Sequence, residues 1–304
     1  MHLTQSKFKK IFWPFIMLCE MWGRISPVSI VKLRYYARFH RFPNLRNPKD
    51  LNEKILWLKL YSDTSKWVNL ADKFKVRHYI ESIGLSEILI PLIGVWDKAE
   101  EIKFDTLPKK LIFKGTHDHT LVINNLDTVD QAGLVKTLNS WLSNKLTGAI
   151  AGEPHYRFIE RRIIAEELLP IPDGAKSVVD YKIWCLNGKA FYVWACSNRV
   201  GVHTEVMTYD RDWNAHPEFS IFTDGYRHGE LLPRPKNLEK MLGIAESLSK
   251  GFPILRVDLY NIDGKIYFGE LTFTSLGGMM DFYTQDFLDM VGAEADISKV
   301  KKVK

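Results

Sequence analysis

The stretch RVDLYNIDGKIYFGELTF, Arg256 to Phe273, decides how the rest of the chain is read. Two β-rich runs flank Asp263-Gly264, a hairpin signal, and each carries a carboxylate, Asp258 or Glu270, where a packed strand calls for an apolar residue. Register decides whether these acids meet. A two-residue turn sets Val257 opposite Glu270 and sends the acids to opposite faces, whereas a loop of odd count, Asp263 to Lys265, pairs Asp258 with Glu270 and Arg256 with Thr272. The odd loop is expected. Like charges directly opposed repel, so this pairing calls for a positive charge between them. Mg²⁺ suits the place, being held by one or two carboxylates together with substrate phosphates. Arg256 on the same face adds the guanidinium of a phosphoryl-transfer site. The plain alternative is a ribbon whose acids face water.

Upstream, LPKKLIFKGTHDHTLVI reads as a strand ending at Lys114, a small polar loop from Gly115 and Thr116 to Thr120, and a second short strand. Backbone N–H groups and an ammonium in such a loop can hold nucleotide phosphates, although the pattern is not a Walker loop. His117-Asp118-His119 lies too close in sequence to converge on a metal and reads as a polar lid. VVDYKIWCLNGKAFYVWACSNR is a hairpin about Asn187-Gly188 and carries Lys182 as a second cation. Pro48 and Asp50 mark a helix start before ILWLKLY, and a second helix is expected near ADKFKVRHYIESIG. Residues 88–97 read as a short buried strand. Asp127 or Thr128 is expected to cap a helix running through Trp141, RFIERRIIAEELLP to return as a strand, and residues 235–251 to form an amphipathic helix stopped by Gly251. Residues 200–235 show little periodicity. Strands and helices alternate without a βαβ cadence, which points to α+β with largely antiparallel sheets.

The chain of 304 residues is 46% hydrophobic, enough for a substantial core, and shows no repeat or low-complexity tract. Residues 1–48 hold nine Lys/Arg and one Glu, a charge of +8, so the formal +6 of the whole leaves −2 for the rest. That argues against a nucleic-acid groove through the body and for an arm that meets an anionic surface. Residues 1–45 are basic and aromatic-rich. They read either as a helical segment lying in a membrane interface or as a helix packed on the body. The run IFWPFIMLC (11–19) is too short to span a bilayer, and Glu20 interrupts it. Cys19, Cys185 and Cys196 are odd in number and lack metal-ligand spacing, which suits a reducing, cytoplasmic setting.

The acidic hairpin, the Lys114 strand and loop, the EELL strand end and the DYK strand come in the order seen in ATP-grasp ligases. LNEKILWLKL, LADKFKVRHYI, IPLIGVWD, LPKKLIFKGTHD, DYKIWCLNGK, YDRDWN and the final hairpin more narrowly resemble the TupA-like branch, found among bacterial surface-polysaccharide genes. The resemblance leaves the first 45 residues outside it. It implies an α+β ATP-grasp fold: two α+β subdomains enclosing ATP, with a helical N-terminal region. The implied division is a basic segment at 1–48, a helical region at 49–108, a lid subdomain at 109–170 and a C-terminal subdomain with the metal hairpin at 171–304.

The resemblance also implies roles. Lys114 binds ATP phosphates with Gly115 and Thr116 under a closing loop, and Lys182 assists. Glu166, Glu167 and Leu169 line the adenine and ribose pocket. Asp258 and Glu270 hold Mg²⁺, with Thr272 where many relatives have a metal-binding Asn. Arg256 stabilises the transferring phosphoryl group and Arg199 contacts substrate. The implied reaction is ATP-dependent amide formation, through an acyl phosphate, between an amino acid or other amine and a uronic acid of a capsule or O-antigen. The acid is carried by a sugar nucleotide, a lipid or a polymer. Two other readings compete: a glycosyltransferase of the same pathway using Asp210 and Asp212 as a DxD motif, and a non-catalytic membrane-associated assembly factor that keeps the fold.

Overall fold

The structure, a computed structural model, describes residues 2–144 and 148–303, with side chains from residue 13 onward. The side chains of Lys7, Lys9 and Lys10, counted in the basic arm, lie outside the described residues.

Two helices open the chain, α1 (His2–Ile25) and α2 (Pro27–Phe39). Helix α3 (Leu51–Tyr61) starts where Asp50 is expected to cap it: the Asp50 carboxylate accepts from Glu53 N at 2.8 Å. The expected second helix forms as α5 (Val76–Ser82), shorter than the stretch 71–84, and is preceded by a short helix α4 (Ser65–Ala71). Asp72 breaks them apart by accepting from the amides of Phe74 and Lys75.

Among the described residues the strands form two sheets. The smaller runs β1 (Leu92–Trp96), β4 (Ile163–Glu167), β2 (Leu111–Gly115), β3 (Thr120–Ile123), antiparallel throughout. Its core is closed by α6 (Gln131–Leu142). The cap of α6 is Asp130 rather than Asp127 or Thr128, because residues 126–128 are taken up in a 3₁₀ turn.

The larger sheet runs in the order β10 (Lys265–Thr272), β9 (Ile254–Ile262), β5 (Asp180–Leu186), β6 (Lys189–Val200), β7 (His203–Tyr209), β8 (Tyr226–His228). Only the β7–β8 pair is parallel. These last two strands come from the stretch that shows little periodicity. β7, HTEVMTY, is too heavily buried to alternate clearly, and β8 has three residues. Helix α7 (Leu238–Ser249) packs on the face formed by Val257, Leu259, Ile183 and Ala195. The opposite face holds the charged side chains described below. Helix α8 (Gln285–Glu294) returns against α3.

The arm is neither loose nor merely appended. Glu20, fully buried, accepts from the amides of Ala149 and Ile150 at 3.4 and 2.9 Å. Gly23 lies so close to this segment that a Cβ there would stand 2.1 Å from Ala149 O. Arg41 joins both Asp50 and Glu53, tying the arm to the start of α3. The outward side of α1 is apolar: Phe15, Leu18, Trp22 and Ile25 recur at helical spacing and are exposed. No helix among the described residues is long and apolar enough to cross a membrane.

Candidate active site

The acidic hairpin pairs Asp258 with Glu270 and Arg256 with Thr272, as expected, but for another reason. The turn is the two-residue one: Lys265 pairs with Ile262, and Asp263 and Gly264 both have positive φ, 52° and 90°. Left alone, that turn would separate the acids. A β-bulge at Gly269, between Phe268 and Glu270, shifts the register by one residue and brings them together. Glycine is needed there, because a Cβ would stand 2.9 Å from the Asp258 carbonyl oxygen.

The positive charge that the opposed acids require comes from the protein itself. Arg256 Nε and Nη2 donate to Asp258 Oδ1 and Oδ2, each at 2.7 Å, and Nη2 reaches Glu270 Oε1 at 3.4 Å and Thr272 Oγ1 at 3.1 Å. Lys182, directly across from Asp258 on β5, donates to Asp258 Oδ2 at 2.6 Å and to Asp180 Oδ2 at 2.6 Å. Arg199 stands at the rim, 3.6 Å from Asp180. Burial alone would raise the Asp258 carboxyl, which is 2% exposed, but the Arg256 and Lys182 charges prevail and hold it far below the usual carboxylate range. Burial pushes the Asp180 carboxyl up, and its Oδ1 is buried with no partner among the described residues. Glu270 differs, with its side chain 43% exposed.

Among the described residues no third His, Cys, Asp or Glu joins Asp258 and Glu270 as a metal cluster. Two carboxylates and a hydroxyl, all oxygen donors and one of them open to solvent, are the partial set that Mg²⁺ accepts when nucleotide phosphates complete it. The residues present fit that ion.

The smaller sheet carries a second ion network. Lys114 Nζ lies 2.6 Å from Glu166 Oε2, and Arg77 Nη1 lies 3.0 Å from Glu166 Oε1. Glu166 is buried and engaged by two cations; it pairs with Ile112 in register and neighbours Lys114 across the sheet. Glu167 is exposed and Leu169 half-buried at the strand end. The expected cradle at Gly115 and Thr116 is also different. Gly115 N donates to His119 O, Thr116 N to Arg162 O, and the Thr116 hydroxyl to Glu160 O at 2.7 Å, so all three donors are held within the protein. Gly115 is where the loop folds over, since a Cβ there would meet Asp118 O at 2.5 Å. The amides of His117 and Asp118 make no protein hydrogen bond among the described residues.

Asp210 accepts from the amides of Asp212 and Asn214, and its Oδ2 from the Asn214 side-chain amide at 2.8 Å, which makes it the organiser of a tight turn; Asp212 is exposed. Sequence reasoning missed Arg77, Asp180 as a cluster member, and Ser275, whose hydroxyl accepts from Arg256 Nη1 at 2.7 Å. Asp180 alone had a signal, its two-residue spacing from Lys182.

A cavity of about 570 Å³ adjoins this cluster, walled by Arg34, Asp118, Glu153, Tyr156 and Thr274. Burial, and after it the charges of Glu153 and Glu270, push the Tyr156 hydroxyl above its ordinary range.

Lys114 near the end of β2 on one sheet and paired carboxylates flanked by Arg256 on the other accord with an ATP-grasp ligase, a class that joins carboxylates to amines with ATP and Mg²⁺. The family model described as TupA-like ATP-grasp matches residues 53–296, and the chain belongs to that family. Solved structures similar to it include the D-alanine–D-alanine ligase of Bacillus anthracis, with 15% identity, 77% of this chain and 70% of that one covered, and a TM-score of 0.47. The Helicobacter pylori D-alanine–D-alanine ligase follows with 11% identity, 82% and 67% covered, and a TM-score of 0.42. A RimK domain ATP-grasp protein of Sphaerobacter thermophilus has 10% identity, 81% and 69% covered, and a TM-score of 0.40. A search of curated proteins gives no match.

Proposed function

We propose that this ligase forms an amide between an amine, such as an amino acid, and the carboxyl group of a uronic acid in a bacterial surface polysaccharide. The observation that carries the chemistry is the Asp258–Glu270 pair with Arg256 Nη2 between its members. The polysaccharide setting rests on the TupA-like membership.

A carboxylate resists amines because its anion is stable and hydroxide leaves poorly. Transfer of the γ-phosphoryl group of ATP to a carboxylate oxygen gives an acyl phosphate and ADP. The amine then attacks the carbonyl carbon, loses a proton, and phosphate departs with the C–O bond electrons. Asp258 and Glu270, with Thr272 beside them, would hold Mg²⁺, which would supply charge neutralisation at the transferred group. Arg256, bonded to both carboxylates, would stabilise the charge that develops on that group. Lys182 holds Asp258 in place. Lys114 and the amides of His117 and Asp118 serve the nucleotide phosphates, Glu166 positions Lys114, and Glu167 and Leu169 border the nucleotide. Arg199, at the rim, meets the acid substrate.

The exposed apolar side of α1, in an arm of net charge +8, suits peripheral contact with an anionic membrane and hence a lipid-linked acceptor. Placement at the inner face of the cytoplasmic membrane follows from that contact and from the need for ATP.

The test is ADP release from Mg-ATP across a panel of uronic acids, with hydroxylamine as the amine. Uronate-dependent ADP and a hydroxamate product, both lost in Asp258→Asn and Glu270→Gln, are expected. ATP binding without any uronate dependence, on free, nucleotide-linked and polymeric uronates alike, would contradict the substrate. Failure to bind ATP would contradict the ligase.

A further inference from the structure

Helix α3 has two working sides. Lys59 donates to Ala151 O and Gly277 O at 2.5 and 2.6 Å, toward the segment that follows the acidic hairpin. Trp57 and Tyr61, two positions before and after it, stand roughly 160° round the helix and so face away. They line a groove of about 660 Å³, whose wall also includes Lys32 from α2, Asn44 and Arg46 from the turn before α3, and Lys302 from the C-terminal tail. Three cations and no carboxylate line it among the described residues. Lys32, Arg46 and Lys302 are exposed and make no ion pair among those residues, whereas the neighbouring Arg38 pairs with Asp281 and Arg41 with Asp50 and Glu53.

The groove is held in shape from both ends. Asn44 N donates to Glu53 Oε1 at 2.8 Å, Asn44 Oδ1 accepts from Asn47 N at 3.0 Å, and Leu45 is buried, which fixes the turn and leaves the Asn44 amide group to donate. Val303 N donates to Tyr61 O at 2.8 Å, and the Lys302 ammonium lies 4.6 Å from the Tyr61 ring centroid, which fixes the tail. Between them the half-buried rings of Trp57 and Tyr61 stand 6.0 Å apart, inclined at 55°. A bare phosphate here would meet the cations and leave the rings in water. A neutral sugar would cover the rings and leave three like charges without a counter-ion. An acidic saccharide meets both: the C–H face of a pyranose lies on an aromatic ring, and carboxylates on its rim accept charge-assisted hydrogen bonds from ammonium and guanidinium groups. The volume falls within the range of sites that enclose small ligands.

We propose that this groove is a second binding site, separate from the acidic hairpin, for an acidic saccharide whose rings lie on Trp57 and Tyr61 and whose carboxylates meet Lys32, Arg46 and Lys302. The choice of a uronate as the acid rests on the ligase reading, but binding in the groove needs neither nucleotide nor metal. A polymeric acceptor held there stays on the protein between turnovers. Trp57 and Tyr61 lie within the matched residues 53–296, whereas Asn44 and all three cations lie outside them, so the charge that selects the ligand comes from the flanking segments.

The experiment is calorimetric titration of the full chain, without nucleotide, with hexagalacturonate, its fully methyl-esterified form, and linear polyphosphate of the same charge. The hexamer is expected to bind, and to bind less well as salt rises. The ester keeps the rings and loses the charge, polyphosphate keeps the charge and has no ring, and each should bind about tenfold or more weakly. The triple variant Lys32→Gln, Arg46→Gln, Lys302→Gln, altered only at exposed positions, should weaken the hexamer by a similar factor at an unchanged urea midpoint. Trp57→Leu should weaken the hexamer more than it weakens polyphosphate. No binding of the hexamer would overturn the inference, as would equal binding of its ester or of polyphosphate, or a triple variant with undiminished affinity. Phosphatidylglycerol vesicles that bind through the same three cations while the hexamer does not would also overturn it, and would assign the groove to a membrane surface. Failure to bind AMP-PNP would count against the ligase reading alone, and hexamer binding in that protein would still support the groove.

Discussion

Each sheet holds one buried carboxylate between two cations: Asp258 between Arg256 and Lys182 in the larger sheet, Glu166 between Lys114 and Arg77 in the smaller. The motif is the same and its freedom is not. The four cations are buried to a similar degree, but the network of Arg256 and Lys182 continues to Asp180, Ser275 and Thr272. Lys114 and Arg77 have a single shared partner carboxylate. Only the larger sheet adds a carboxylate that faces solvent, Glu270. Under the proposed function, a charged floor with one open carboxylate would suit an incoming metal–phosphate group, whereas Lys114 would have to exchange Glu166 for phosphate on binding nucleotide. On that reading the difference is one between a fixed platform and an adjustable grip.

The largest break in this comparison comes from Asp258→Asn. It leaves Arg256 and Lys182 charged and buried without their shared counter-ion, and urea unfolding should show a loss of about 3–5 kcal/mol. A loss below about 1 kcal/mol would mean that the floor is not rigid.

Acid distinguishes the platform from its surroundings. The Asp258 carboxyl is depressed, so the stability it contributes is present above its unfolded value and persists until strongly acid solution. His155 fails earlier. Buried against Trp67 and Tyr156, its imidazole is pushed down from 6.5 to about 3, by burial first and by the Lys59 charge second. The unfolded chain takes up this proton near pH 6.5 and the folded chain does not, so stability falls as pH drops below that value, by roughly 1.4 kcal/mol per pH unit from this group. Urea midpoints at pH 6.5 and 4.5 should differ less in His155→Phe, which keeps the ring contacts and removes the titration.

Glu166→Gln is expected to destabilise by less than Asp258→Asn, about 1–3 kcal/mol, because the Glu166 side chain is less deeply buried than that of Asp258, 7% against 2% exposed. Equal losses in the two variants would erase the distinction between platform and grip. Smallest of all is the stability effect of Glu270→Gln, within about 1 kcal/mol for a half-exposed ion pair.

Much of this was legible before the structure. Asp258, Glu270, Arg256 and Thr272 meet because two apolar runs with carboxylates at matched places mark a hairpin. The mechanism of their meeting was not legible: an Asp-Gly turn and a compensating bulge at Gly269 give the same pairing as an odd loop, and only the three-dimensional approach of Gly269 to the Asp258 carbonyl distinguishes them. The source of the positive charge was hidden for a similar reason. Lys182 lies 76 positions from Asp258, and cross-strand neighbours that far apart leave no local pattern. The loop after Lys114 shows the opposite failing. Gly115 and Thr116 have the residue types of a phosphate cradle, but their donors close the loop on itself. In the N-terminal arm, composition displayed the charge and the aromatics, whereas the clasp of Glu20 on residues 149–150 depends on contacts 129 and 130 positions away.

The decisive measurement is Mg²⁺-dependent nucleotide binding to wild-type protein and Glu270→Gln, with urea unfolding of both in parallel. A platform that presents Glu270 to the metal predicts nucleotide binding that Mg²⁺ strengthens in the wild type and no longer strengthens in the variant, at nearly equal stability. Equal strengthening by Mg²⁺ in both proteins would contradict the assignment of the acidic hairpin as the metal site.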